Sequence, residues 1–291
     1  MNKVRGMLGI ILCLALVACS PAASQKPVVA TTFFPLQDFT QAIVGDQATV
    51  FSLVPAGVEP HEYEPTPRDS ERLQSSVAYV MLGKNFGGFE DKLVGSAGTN
   101  TVIIDASAGI KRLPSSNKSA VLDPHVWLSP ARALQLVQNI AAGLQKIPSL
   151  RAEVIIANTQ ILSDQLRDLD RTFQTELSNC SKHVILVDHD AFSYLARDYG
   201  FETVTLAGLE PEAEPSPQQL KHLIDVGKAQ KLKFVFYEST GDSRIARAIA
   251  QELGAQVLPI STAESSEKPG DTYMTLMNQN LEHLAQAMEC S

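Results

Sequence analysis

The pattern of apolar and polar positions in the first part of the chain predicts short strands separated by helices. Residues 28–33 form an apolar, β-branched run typical of a strand, and residues 36–44 carry apolar positions at helical spacing. Further elements are predicted as strands at 49–53, 77–82 and 102–104 and as a helix start at 69–74. This alternation is typical of an α/β fold with a parallel sheet.

A polar segment and two helices follow these strands. Residues 106–121 are rich in Ser, Lys and Asn, which predicts a loop. One helix is predicted from Pro130 to Gln145 and a longer one from Ser149 to Leu177, because apolar residues recur there at near-helical spacing. At about 1.5 Å per residue the longer helix would extend for about 40 Å. We expect it to connect two halves of the protein.

The alternation of strands and helices restarts after this helix. Strands are predicted at 184–187, 203–206, 234–237 and 256–260, and helices at 192–198, 217–229, 243–253 and 271–288. We therefore expect an α/β fold with an N-terminal lobe over 28–148, a linking helix over 149–178 and a C-terminal lobe over 179–291. A ligand site would then lie in the cleft between the lobes.

The N-terminus has the pattern of a secretion signal. Positively charged residues precede an apolar run over 7–18, which is too short to span a bilayer. The run closes with LVAC at 16–19, which resembles the lipobox of bacterial lipoproteins, in which the cysteine is diacylated. We expect a signal peptide over 1–18, a lipid on Cys19 and a tether over 19–27. An ordinary signal peptide cleaved nearby is the alternative.

Composition and charge narrow the location and the partners. No later apolar run reaches the ~20 residues of a membrane helix, so we expect attachment through the lipid only, at the periplasmic or extracellular face of the cell envelope. Removal of residues 1–18 takes away Lys3 and Arg5 and no acidic residue, so the net charge of −8 becomes −10. Nucleic acid is a poor partner for so acidic a chain. We expect a monomer.

The chain contains four cysteines. Cys13 lies in the predicted signal and Cys19 would carry the lipid, which leaves Cys180 and Cys290 as the pair available in an oxidising compartment. A disulfide between them and two inert thiols both remain open. The sequence does not give the Cα separation that decides between them.

Three histidines occur in short, turn-marked segments separated by equal intervals of 64 residues. The segments are EPH at 59–61, DPH at 123–125 and DHD at 188–190. These intervals are too long for a zinc finger and suit ligands gathered from separate loops. Each histidine follows a predicted strand or its loop, and ligands of open α/β sheets collect at the carboxyl ends of strands. Since imidazole is the commonest ligand for zinc-like ions, we expect a metal site formed by His61, His125 and His189.

A carboxylate or a water molecule usually completes a tetrahedral site with three imidazoles. Asp271, in the segment PGDTY at 269–273, is the expected fourth ligand. Its alternative role is that of a helix N-cap, for which aspartate is also favoured. The other histidines are assigned elsewhere, because their surroundings are charged or strand-like: His183, His222 and His283.

Other acidic residues lie near the three histidines in sequence or at strand ends. Glu238 is a weaker candidate for the fourth ligand, and Glu62 and Glu64 are expected around the ligands or at the surface. A ligating histidine usually donates its other N–H to a carboxylate. The residues expected to accept such bonds are Asp123, Asp188 and Asp190.

Six segments carry a resemblance to a known family. They are VATTFFP at 29–35, PHEYEPTPRD at 60–69, DPHVWLSP at 123–130, HDAFSYL at 189–195, GLEPEAEPS at 208–216 and GDTY at 270–273. With these segments the mature chain resembles, over nearly its whole length, the zinc- and manganese-type solute-binding proteins of bacterial ABC importers. The resemblance implies two α/β lobes joined by a rigid helix and a receptor that delivers its metal to an ABC permease. It implies the ligands His61, His125, His189 and Asp271.

Two features of the sequence bear on the choice of metal. Many zinc-specific members of that family carry a His- and Asp-rich loop before the second ligand, whereas residues 106–121 contain no histidine. Manganese-type members tend to have a carboxylate at the third ligand position, where this chain has His189. Three imidazoles and one carboxylate suit Zn²⁺ better than Mn²⁺, because Mn²⁺ is the weakest binder in the affinity order. We expect a zinc receptor, with a manganese or mixed receptor as the alternative.

A zinc-dependent hydrolase is the competing function from another class. Such an enzyme leaves one metal position open for water and places a base beside it. The sequence contains no His-Glu-x-x-His and no evident nucleophile constellation. We therefore expect a site that binds without catalysis. A surface adhesin that holds a metal incidentally is a third interpretation.

Overall fold

The computed structural model describes residues 26–83, 86, 88–115, 121–205 and 216–291. The predicted signal peptide over 1–18, the lipid on Cys19 and the greater part of the tether over 19–27 lie outside the described residues. So does all but the last residue of the family-like segment at 208–216.

A sheet of four parallel strands forms the N-terminal half, in the order β2-β1-β3-β4. The strands are β1 (Val28–Thr31), β2 (Thr49–Ser52), β3 (Ala78–Met81) and β4 (Val102–Asp105). In the register, Ala30 of β1 lies opposite Phe51 of β2 and Tyr79 of β3. All four residues of β3 are buried. This burial is typical of a parallel strand that is covered on both faces.

Four helices belong to this half. They are α1 (Phe34–Val44), α2 (Pro67–Gln74), α3 (Glu90–Val94) and α4 (Pro130–Leu144). A proline in the first turn begins α1, α2 and α4. Proline is favoured there because its fixed φ fits the helix and its missing N–H would have no partner in the helix. The hydrophobic pattern does not predict α3, which has only five residues.

The longest helix, α5 (Ala152–Glu176), connects the two halves. It packs against α1 and α4 of the first half and against α9 (Tyr273–Ala287) of the second. Its buried apolar residues lie on one face: Ile155, Leu162, Leu166, Leu169 and Phe173. The helix begins later than the sequence predicts, because residues 148–150 form a turn and a bend. Within the described residues, no helix is both long and apolar enough to cross a membrane.

The C-terminal half contains two pairs of parallel strands. The strands are β5 (Val184–Val187), β6 (Glu202–Thr205), β7 (Phe234–Glu238) and β8 (Gln256–Ile260). β5 pairs with β6 and β7 pairs with β8, while β5 also lies beside β7. The remaining helices are α6 (Ser193–Tyr199), α7 (Pro217–Gln230) and α8 (Arg244–Leu253). The predicted fold class, two α/β lobes joined by a long helix, is confirmed.

The larger of two hydrophobic clusters extends through both halves, and Trp127 is fully buried in it. The indole N–H of Trp127 donates a hydrogen bond of 2.8 Å to the carbonyl oxygen of Thr262. The hydroxyl of Tyr273 donates one of 2.6 Å to the carbonyl oxygen of Trp127. These bonds fix the loop before α4 against Thr262 and Tyr273 of the second half.

A disulfide joins Cys180, just after α5, to Cys290, just after α9. The sequence left open whether these cysteines are bonded, and the structure contains the disulfide. Its two cysteines are 110 residues apart. A crosslink that closes so long a loop restricts the unfolded chain and thereby stabilises the folded one.

Candidate metal centre

The three predicted histidines converge on one point. Nε2 of His125 lies 3.1 Å from Nε2 of His61 and 3.4 Å from Nε2 of His189. Ligand atoms held tetrahedrally at about 2.0–2.1 Å from a zinc ion are separated from one another by about 3.3–3.4 Å. These two separations are close to the edge of a tetrahedron around zinc, and the three ligand atoms all lie within 4.8 Å of one another.

Loops at the ends of strands carry these histidines. His61 lies in a 3-10 turn, Pro60–Glu62, in the segment after β2. His125 directly precedes another 3-10 turn between β4 and α4, and His189 is the second residue after β5. The structure thus places all three at the edge where ligands of parallel sheets collect.

Two carboxylates fix the orientation of two of the rings. Nδ1 of His125 lies 2.8 Å from Oδ1 of Asp123, and Nδ1 of His189 bonds to Oε1 of Glu238. Because an ionised carboxylate only accepts hydrogen bonds, each Nδ1 is the donor, and each Nε2 of a neutral ring presents its lone pair to the centre. These lone pairs repel each other unless a cation or a proton lies between them.

Glu264 supplies a fourth donor that the sequence pattern did not reveal. Its Oε1 lies 3.3 Å from Nε2 of His61 and 3.7 Å from Nε2 of His125. This oxygen is buried and has no hydrogen-bond partner within the described part of the chain. An ionised carboxylate buried in this way is costly unless a cation neutralises it. Glu264 follows β8, so the strand-end rule that pointed to the histidines could have found it.

Asp271 does not join this group. Its Oδ2 accepts hydrogen bonds from the backbone N–H groups of Glu267, at 2.9 Å, and Lys268, at 2.7 Å. The N-cap of α9 is Thr272, whose side chain accepts a bond from the N–H of Thr275. The structure therefore places the Asp271 carboxylate in the turn before α9, where it orders the loop.

Of the other acidic residues that the sequence singles out, two form hydrogen bonds near the site and two lie at the surface. Oδ2 of Asp188 accepts a hydrogen bond of 3.1 Å from the backbone N–H of Glu238. Oδ1 of Asp190 accepts one of 2.8 Å from the hydroxyl of Ser193. Glu62 and Glu64 are exposed. Three histidines belong to no potential metal-binding group of the described residues: His183, His222 and His283.

Burial and neighbouring charges shift the titration of the site. Burial lowers the pKa of His125 well below its usual value, and the adjacent His61 and His189 lower it further. Burial acts to lower the pKa of His189 as well, but the charge and hydrogen bond of Glu238, together with the charges of Glu264 and Glu59, outweigh it and raise the pKa to about 9. Burial opposes ionisation of Glu264, yet the adjacent imidazole of His61, together with the charges of His125 and His189, lowers its pKa to about 2. The site thus attracts positive charge, which a metal ion supplies when it displaces protons.

Aromatic rings enclose one side of the centre. The ring of His61 lies 5.4 Å from that of Phe86, and the ring of His125 lies 5.1 Å from that of Trp127, centroid to centroid. Phe33 packs edge-on against Trp127 at 4.8 Å. These buried rings exclude water and leave the imidazoles little freedom to rotate.

Sequence comparison agrees with this geometry. Residues 29–287 match the model of the ZnuA family, described as zinc-uptake complex component A, periplasmic. The chain belongs to this family. Its members include the high-affinity zinc uptake system protein ZnuA of Bacillus subtilis, which is 32% identical over 99% of this chain and 98% of its own length. The zinc-binding lipoprotein AdcA of Streptococcus pneumoniae is 32% identical over 99% of this chain.

The relatives differ in length and in bound metal. The chain spans 56–62% of the length of the first AdcA relatives that it matches. The Zn(II)-bound ZnuA-like domain of Streptococcus pneumoniae AdcA superposes with a TM-score of 0.80 and 32% identity, over 91% of this chain and 99% of that domain. A mutant of a Mn-bound periplasmic metal binding protein from Candidatus Liberibacter asiaticus superposes with a TM-score of 0.81 and 27% identity, over 90% of this chain and 100% of that protein. Because one fold holds either ion, the donor atoms must decide the metal.

Proposed function

We propose that this protein is an extracytoplasmic receptor that captures Zn²⁺ and delivers it to an ABC-type import permease. The observation that carries the proposal is the convergence of the Nε2 atoms of His61, His125 and His189 on one point, with a carboxylate oxygen of Glu264 at 3.3 Å and 3.7 Å from the first two. Four protein donors leave no position for the water molecule that a zinc hydrolase activates. The protein therefore binds its ion and does not act as an enzyme.

The proposed ligands are His61, His125, His189 and Glu264. Glu264 replaces Asp271, the ligand expected from the sequence, because the Asp271 carboxylate already accepts two backbone hydrogen bonds. Oε1 of Glu264, which is buried and accepts no hydrogen bond from the residues that the structure describes, supports this choice. Asp123 and Glu238 hold the rings of His125 and His189 in the orientation that binds metal.

Zinc is the proposed ion because of the donor set. Three imidazoles in tetrahedral arrangement suit Zn²⁺, whereas Mn²⁺ prefers more oxygen ligands in octahedral geometry and binds most weakly in the affinity order. Relatives named for zinc uptake and zinc binding support the same choice. A manganese or mixed receptor is the alternative, favoured by the manganese-bound relative of the same fold.

The remaining expectations from the sequence complete the proposal. The protein is attached to the membrane by a lipid on Cys19, which the likeness to a zinc-binding lipoprotein supports, and it works as a monomer. The proposed lobes extend over 28–148 and 179–291, and the linking segment over 149–178 contains α5. The family description, a component of a zinc-uptake complex, supports a permease as the partner.

A competition titration tests the choice of metal. We expect metal-free protein to bind one Zn²⁺ per chain and to release Mn²⁺ when equimolar Zn²⁺ is added, because imidazole donors favour zinc. Native mass spectrometry would give the stoichiometry, and a chromophoric chelator would give both affinities. Tighter binding of Mn²⁺ would assign the receptor to manganese, and phosphatase or peptidase activity of the zinc-loaded protein would contradict the receptor function.

A matched pair of variants tests the fourth ligand. We expect Glu264→Gln to weaken zinc binding by more than about 100-fold, because losing the partner of a ligand already costs about 10–100-fold. Asp271→Asn makes the same chemical change seven positions later and keeps an oxygen that accepts backbone bonds. It should leave the affinity nearly unchanged in the same titration. The reverse ranking would return the fourth position to Asp271.

A further inference from the structure

Access to the proposed zinc site is uneven. The exposed fraction of the side chain is 10% for His61 and 4% for Glu264, and it is zero for His125 and His189. A hydrated ion that approaches from the His61 side therefore meets His61 and Glu264 before the two fully buried imidazoles.

A carboxylate outside the four-ligand set lies beside this entrance. Glu59 is half-buried, and its side chain accepts a hydrogen bond of 3.0 Å from the backbone N–H of His61. One ligand atom each from Glu59, His61 and Glu264 lie within 4.8 Å of one another. These three donors form a second group, which shares His61 and Glu264 with the proposed set of four ligands.

The shared oxygen gives this group its affinity for a cation. Oε1 of Glu264 is buried without a hydrogen-bond partner among the described residues, and its side chain is 4% exposed. Two carboxylates and one imidazole are donors that zinc accepts, and three protein ligands leave room for water in the coordination shell. The second group thus suits an ion that has lost only part of its hydration shell.

We propose that Glu59, His61 and Glu264 form an outer site at which Zn²⁺ binds transiently before it reaches the inner four-ligand site. The ion then moves inward by exchanging Glu59 and its remaining water for His125 and His189, while His61 and Glu264 stay bound. This proposal rests on the proposed function, since it describes how the same ion enters. Only ligands are exchanged, and no covalent bond within the protein changes.

The outer site has a kinetic signature. Glu59 contacts the ion on the way in and on the way out, but not in the final complex. Replacing Glu59 therefore raises the barriers to both association and dissociation of zinc and leaves the dissociation constant of the final complex nearly the same. A ligand of the final complex behaves differently, because its loss changes the equilibrium constant and mainly speeds dissociation.

Glu59→Gln is the appropriate variant. Glutamine keeps a side-chain oxygen that accepts the bond from the N–H of His61, so the turn at residues 60–62 is retained. Glu62→Gln is the matched control, because it removes the same charge from an exposed neighbour outside the three-donor group. The control separates specific contact from general attraction of cations by negative charge.

Stopped-flow mixing of metal-free full-length protein with Zn²⁺, and of loaded protein with a chelator, gives both rates. We expect Glu59→Gln to slow association and dissociation by about tenfold each, which is an increase of about 1.4 kcal/mol in each barrier. Glu62→Gln should match the unchanged protein. The outer site is refuted if Glu59→Gln weakens affinity at an unchanged association rate, or if it behaves like the control.

A second arm detects the outer site directly. In the variant His125→Ala/His189→Ala, checked for folding by circular dichroism, we expect one weakly bound Zn²⁺ per chain by native mass spectrometry, and its loss when Glu59→Gln is added. A folded double variant that binds no zinc refutes the proposal, and an unfolded one leaves the decision to the kinetic experiment. If the unchanged protein binds no zinc, the proposed function itself fails, so the two failures are distinguishable.

Discussion

Replacing His125 with alanine is expected to abolish high-affinity zinc binding while the fold remains intact. Structural zinc sites bind with about 10–16 kcal/mol, so one of four ligands accounts for roughly 2.5–4 kcal/mol, or about 100- to 1,000-fold in affinity. Nε2 of His125 lies within 3.4 Å of the corresponding atoms of both other histidines, and its side chain is fully buried. Bulk water therefore has little access to replace the missing ligand. His61→Ala and His189→Ala should show losses in the same range.

The measurement is a zinc titration against a competing chelator, with circular dichroism as the check on folding. His222→Ala is the control, because His222 is an exposed residue of α7. It should bind zinc as the unchanged protein does. If His222→Ala were as damaging as His125→Ala, the assignment of the histidines to the site would be wrong.

Removing the metal is expected to lower thermal stability strongly. An ion that binds only the folded state stabilises it by mass action, by about 4.1 kcal/mol when free zinc is 1,000 times the dissociation constant. The melting temperature of a protein of about this size shifts by roughly 2–4 °C per kcal/mol, so the zinc-bound protein should melt roughly 8–16 °C above the metal-free protein. The ion also neutralises the buried carboxylate of Glu264, whose Oε1 accepts no hydrogen bond from the described residues, and it separates the facing lone pairs of His125 and His189.

Scanning calorimetry of chelator-treated protein over a series of buffered free-zinc concentrations checks this expectation. The midpoint should climb with the logarithm of free zinc once the site is saturated. His125→Ala should show little of this shift over the same range. An unchanged midpoint at saturating zinc, or an equal shift in His125→Ala, would show that the stabilising ion binds elsewhere.

The sequence predicts the regular elements well where the hydrophobic signal is local. The strands at 184–187 and 256–260 coincide with β5 and β8, because each is a short apolar run bounded by polar or turn residues. The five-residue helix α3 escapes prediction, since it is too short to show a helical period. The three histidines are recognisable because a turn-forming motif surrounds each of them at a strand end.

The position of Glu264 after β8 makes it a candidate by the strand-end rule, but the burial that distinguishes it from other acidic residues depends on contacts that are distant in sequence. It lies in the polar segment TAESSE at 262–267, which reads like an exposed loop. The bond from Trp127 to the carbonyl of Thr262 and the bond from the N–H of Gly57 to Ser265 hold this segment against the first half of the chain. Nothing in the local pattern shows which polar loop turns inward.

The same reasoning explains the roles of the two other carboxylates. Asp123, two residues before His125, could be expected to support that ring because the two are close in the chain. Glu238 lies 49 residues from His189 and reads as a possible ligand at a strand end. Only the side-by-side placement of β5 and β7 reveals that it contacts the far side of the imidazole.

The continuous core and the α5 helix together determine how an empty receptor can differ from a loaded one. Since α5 packs against helices of both halves and the core crosses between them, the protein is mechanically a stiff body rather than a hinged clamp. We therefore expect its outline in solution to be the same with and without the ion. On the proposed function, we expect the permease to recognise the surface of a few loops and the rate of transfer to depend on how often those loops open.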